Sequence, residues 1–153
     1  MKKIIFILLL SPLLSAAQEI PNKARTILVK GVSFNEVCSA LMDSGYVIES
    51  KDNELMTART EPIEYPKYWN GAYKIQIRVK DSVAYFTGLY KVPYLTGIRV
   101  GSGLYDKNPW SQTDYIYHHV NRKGKTFPKS MFGYPFLLMN KFVAGFGKEM
   151  EYR

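Results

Sequence analysis

The sequence predicts an α+β two-layer sandwich: an antiparallel sheet of about five to six strands, with an early short helix and a C-terminal helix on one face. Three observations carry that expectation. Residues 72–81 ("AYKIQIRVKD") alternate apolar and polar side chains, which gives a strand one buried and one wet face, as in an antiparallel sheet. Phe34, Val37, Cys38, Leu41 and Met42 recur at helical spacing and form a single apolar stripe. The order along the chain is strand, helix, a run of strands, helix, and elements segregated in this way stack as helices against one side of a sheet.

The chain opens with Lys2 and Lys3, an apolar run "IIFILLL" at 4–10, and a small-residue patch Ser15-Ala16-Ala17 ahead of Gln18 and Glu19. This pattern reads as a secretory signal peptide over residues 1–17, cut after Ala17. The run is too short for the roughly 20 residues of a membrane-spanning helix. No cysteine follows the cut to carry a lipid, so a soluble exported protein, periplasmic or extracellular, is expected, with residues 18–153 as a single α+β domain and no transmembrane segment. Lysine and arginine number 21 against 13 acidic residues, a net +8; without Lys2 and Lys3 the balance is 19 to 13, or +6. In an exported protein that excess favours an anionic surface or an acidic partner over nucleic acid. Apart from Arg122, Lys123 and Lys125 the basic residues are scattered.

Element by element, residues 25–31 read as a first strand. Ser33 is the N-cap of the helix, and Glu36 completes a capping box. Val32 and Val37 form a hydrophobic staple across it, and Gly45 ends the helix in the left-handed conformation. Cys38, the only cysteine, has no internal disulfide partner. It sits mid-stripe, where a cysteine behaves as a small hydrophobe and burial raises its pKa and makes it inert. Residues 46–51 and 54–60 read as strands around a turn at Asp52-Asn53. In the strand at 72–81, Tyr73, Ile75, Ile77 and Val79 face inward and Lys74, Gln76, Arg78 and Lys80 outward. Asp81-Ser82 is a short turn into residues 83–91, in which Gly88 marks a bulge or bend. Residues 92–110 form a long Gly- and Pro-rich loop, and residues 111–121 a last strand. The tail is helical over 136–148, with Pro135 in its first turn, and packs on the same sheet face as the first helix.

The opening unit, a strand, a helix beginning at "SFNEV", the element Leu41…Gly45-Tyr46 and the strand pair "VIESKDNELMTART" with Asp52 and Asn53 in its turn, resembles the small β-α-β-β modules of BamC-type envelope proteins. It covers residues 25–60. The resemblance implies a helix-grip-like domain and an accessory, protein-binding role in the cell envelope. The chain differs from that family in having no N-terminal cysteine to lipidate.

No catalytic constellation emerges, and no cofactor, metal or enzymatic activity is expected. His118 and His119 are adjacent, so on a strand they point to opposite faces and do not share a metal. The pairs Glu61 with Glu64 and Asp106 with Asp114 have nothing to fix them around a substrate. "GIRVGSG" at 97–103 lacks the strand-then-helix context of a phosphate-binding loop. The candidate binding residues are loop aromatics: Tyr65, Tyr68 and Trp69 in one Pro-rich segment, and Tyr94, Tyr105 and Trp110 in the second. Such rings anchor a protein partner or stack on a flat ligand. The expected function is that of a non-enzymatic envelope accessory or binding protein engaging a partner protein or an anionic surface. The alternative is a carrier holding a small apolar ligand between the sheet and the C-terminal helix.

Overall fold

The alternation in "GAYKIQIRVK" becomes half of the hairpin on which the rest of the sheet is built. A computed structural model describes residues 19–65, 71–91, 113–121, 123–124, 130 and 132–153. The elements run β1 (Thr26–Lys30), α1 (Phe34–Asp43), β2 (Ile48–Asp52), β3 (Thr57–Thr60), β4 (Ile63–Tyr65), β5 (Gly71–Lys80), β6 (Val83–Lys91), β7 (Thr113–Tyr115), α2 (Gly133–Ala144) and β8 (Met150–Tyr152). Among the described residues the sheet has eight strands in the order β2-β3-β5-β6-β1-β8, with β4 beside β5 and β7 beside β6. Every pairing is antiparallel. The count exceeds the expected five to six because β4 and β8 are three-residue strands, too short to leave a period in the sequence.

The long hairpin explains the layout. β5 and β6 pair without interruption from Lys80↔Val83 to Ala72↔Lys91. Each is longer than any single strand on its outer side, so each has two there. β3 covers the turn half of β5 and β4 its other half; β1 and β7 divide β6 in the same way. The turn between them is Asp81-Ser82, and both residues have positive φ (52° and 58°), the geometry of a two-residue turn whose twist matches that of the strands.

One face of the hairpin is the core. Tyr73, Ile75 and Ile77 of β5 and Ala84, Phe86 and Tyr90 of β6 are buried, together with Ile27 and Val29 of β1. Both helices lie on this face, α1 through Val37 and Leu41 and α2 through Phe136, Met139 and Val143. Each of these fully buried side chains contributes about 1.5–3 kcal/mol of transfer free energy. Phe34 and Cys38 pack on Ala58 of β3. Cys38 is a free thiol, and burial pushes its pKa up. Among the described residues no helix is long and apolar enough to cross a membrane.

The start and end of α1 follow the expected chemistry. The Ser33 hydroxyl accepts the Glu36 N–H at 3.2 Å, and the Glu36 carboxylate accepts the Ser33 N–H at 3.4 Å. Val32 and Val37 are both in the core cluster. At the other end Gly45 has φ +82°; its N–H donates to the Met42 carbonyl and that of Tyr46 to the Leu41 carbonyl, both at 2.9 Å. These are the two bonds of a Schellman motif. The Tyr46 ring then meets Phe142 edge-on at 5.1 Å, so the Gly-Tyr pair ends one helix and touches the other.

Four expectations need correction. The turn after β2 occupies residues 53–56, because Asp52 Oδ1 accepts the N–H groups of Glu54 and Leu55 at 2.9 Å each and folds a wider loop than two residues would make. Gly88 marks no bulge: the register runs straight through Ile75↔Gly88, and a Cβ there would collide with the Ile116 side chain. The last predicted strand pairs on β6 only at Thr113–Tyr115; beyond it the backbone crosses to residues 23–24, where Lys23 N–H donates to the His118 carbonyl and His118 N–H to that of Ala24. The C-terminal helix stops at Ala144. Gly147 turns the chain with φ +61°, and β8 returns to pair with β1.

Candidate functional site

The sheet positions the predicted binding segments by register. Tyr65, the last residue of β4, pairs with Gly71; Ala72 pairs with Lys91; and Lys91 pairs with Thr113. Residues 65, 71, 91 and 113 therefore stand at one end of four adjacent strands. Neighbouring strands are about 4.8 Å apart, so these four chain positions fall within roughly 15 Å of one another. They are the points at which residues 66–70 and 92–112 leave and rejoin the sheet. Of the predicted site residues, Tyr65 is placed by its backbone in β4. Tyr68, Trp69, Tyr94, Tyr105 and Trp110 lie outside the described residues.

The histidines occupy different surroundings. His118 is buried, with Nδ1 3.2 Å from the Pro21 carbonyl oxygen and its ring 5.8 Å from that of Phe136. His119 packs its ring on Tyr117 at 5.8 Å. Among the described residues no three His, Cys, Asp or Glu side chains gather as metal ligands.

The sheet face away from the helices holds a feature that the sequence reading missed. Lys74 was expected to face water but is only 7% exposed. Its ammonium donates to both oxygens of Glu49 at 2.7 Å, and Arg59 Nε donates to Glu49 Oε2 at 2.9 Å. Three strands thus contribute to one network, β2 with Glu49, β3 with Arg59 and β5 with Lys74. The hydrogen bond from Lys74, with the two neighbouring cations, holds the Glu49 carboxyl below the ordinary range. No local pattern reports such a triad, since its members are far apart in sequence and meet only once the register β2-β3-β5 is known.

Beside this network, Arg59, Gln76, Thr87 and Thr26 form one row across β3, β5, β6 and β1, and Thr57, Arg78 and Tyr85 form the next. They line a depression of about 570 Å³. Its wall carries hydroxyl, amide and guanidinium groups, and no carboxylate is among its lining residues. Arg78 is exposed and has no ion-pair partner among the described residues.

In comparison with known proteins, the chain matches no protein-family model and no curated protein.

Proposed function

We propose that the chain is an exported, non-enzymatic accessory protein of a cell envelope, which binds a partner protein or an anionic surface through the aromatic segments at the loop end of its sheet. One observation carries this reading. The registers of β4, β5, β6 and β7 bring residues 65, 71, 91 and 113, which flank the two sequence stretches that carry Tyr68 and Trp69 and Tyr94, Tyr105 and Trp110, into one row. Tyrosine and tryptophan are the side chain types that dominate binding energy at interfaces. The signal-peptide pattern of residues 1–17 supports export. Kinship with BamC-type modules draws support from the way β1, α1, the Gly45-Tyr46 cap, β2 and β3 follow one another.

The carrier reading has less support. A ligand between α2 and the sheet would occupy space already filled by rings: Phe142 and Phe146 meet Phe86 at 6.1 and 5.9 Å and each other at 5.6 Å.

The test is a pull-down from envelope extract with the wild type and a Tyr68→Ala/Trp69→Ala variant of equal thermal midpoint. The expected result is loss of at least one captured partner. Identical partners at identical yield would overturn the aromatic-segment reading.

A further inference from the structure

We infer that the helix-free face of the sheet is a second binding site, built for an acidic oligosaccharide of two or three sugars. The proposal rests on the reading of the chain as a binding module, but not on its aromatic segments. The argument begins with what this face cannot do. The backbone groups of β3, β5, β6 and β1 are already paired with one another across the sheet, so a peptide cannot add there as a strand. Recognition on this face falls to side chains alone, and the depression of about 570 Å³ lies within the roughly 300–1,000 Å³ typical of small-ligand sites.

The side chains then select the ligand. Thr26, Thr57 and Thr87 offer hydroxyls and Gln76 an amide; each can both donate and accept, as a polyol requires. Two guanidiniums with no lining carboxylate complement a negative charge, and their planar forks match carboxylate or phosphate oxygens. Arg59 is held through Nε by Glu49, itself gripped by Lys74, which fixes the direction of the fork before a ligand arrives. Arg78, on the neighbouring row, supplies the second cation. A neutral sugar would leave Arg78 without a counter-charge and the Lys74–Glu49–Arg59 network, two cations on one carboxylate, with an excess of positive charge, and a bare anion would leave the hydroxyl and amide row unused.

The experiment is calorimetric titration of the full mature chain at low salt with three probes: trigalacturonate, the neutral trisaccharide maltotriose, and inorganic phosphate. Trigalacturonate is expected to bind, and at least about tenfold more tightly than either control, since hydrogen bonds to charged groups are the strong ones. Arg78→Gln should weaken it about tenfold or more with no change in thermal midpoint, and Thr87→Val should weaken it by a smaller factor. The Tyr68→Ala/Trp69→Ala variant should bind it like the wild type, so that failure of this site and failure of the aromatic segments are read separately. The proposal is overturned if trigalacturonate does not bind, if maltotriose or phosphate binds equally well, or if Arg78→Gln binds as the wild type does.

Discussion

The two faces of β5 come from alternate residues of one ten-residue stretch, yet they are held by different physics. Tyr73, Ile75 and Ile77 meet two helices through carbon and aromatic surface, where fit decides stability and pH has little part. Lys74, Gln76 and Arg78 stand on a face where charge and hydrogen bonding decide. An alternating strand therefore does more than divide wet from dry. It gives one element a close-packed side and a polar one, and the network around Glu49 shows that the second side is also organised.

Substitutions on the covered face should give the largest effects. Phe86→Ala removes a fully buried ring that Phe142 and Phe146 both contact, and should cost about 3–5 kcal/mol in denaturant unfolding. Gly88→Ala errs in the opposite direction, by overfilling: Ile116 must move to admit the methyl group, at a cost of about 1–3 kcal/mol. If both substitutions were neutral, the covered face would not be close-packed.

On the open face the effect should be smaller and should depend on pH. Glu49→Gln leaves the buried Lys74 ammonium without its carboxylate. Because Glu49 is about a third exposed, solvent screens part of the loss, leaving about 1–2 kcal/mol at neutral pH. The folded protein holds the Glu49 pKa below its ordinary 4.5, so its contribution is fully present above that value and is lost as pH falls through the lowered folded value. The thermal midpoint of the wild type should accordingly converge on that of Glu49→Gln as the solution is acidified below about pH 4.5. A constant gap between the two would show that the carboxylate is not what holds Lys74.

The smallest effect belongs to the turn, which lies on neither face. Ser82 sits at φ +58°, a left-handed conformation that costs most side chains about 1–2 kcal/mol. Ser82→Gly relieves this at the expense of a more flexible unfolded chain, so a net gain of about 0.5 kcal/mol is expected in thermal unfolding.

How much of this could be read from the sequence varied with how local the cause was. The capping box at Ser33 and Glu36, the Gly45 terminator and the alternation of β5 each lie within a few residues and were legible as such. The turn after Asp52 is wider than the sequence suggests because one carboxylate accepts two backbone N–H groups, which a two-residue template does not include. Gly88 stands out in its strand, but the reason is not local, since the neighbour it accommodates, Ile116, arrives from another segment. β8 left no signal because three residues cannot establish a period. On the candidate site, the residue types pointed to the aromatic segments, but only strand register showed that their roots share an edge. The arginine-lined depression is invisible for the same reason: its residues come from five strands.

The place of β1 bears on how the chain reaches this structure. It lies between β6 and β8, with Leu28 pairing to Tyr85 on one side and Glu151 on the other. The β5–β6 hairpin closes across two residues, whereas β1 must wait for partners that come much later in the chain. Closing loops of that length costs entropy before any contact repays it. The hairpin is thus the natural early structure, and the docking of β1, followed by β8, belongs late in a slow search. Until then Ile27 and Val29 stay uncovered, which leaves the first strand open to misassociation with other chains.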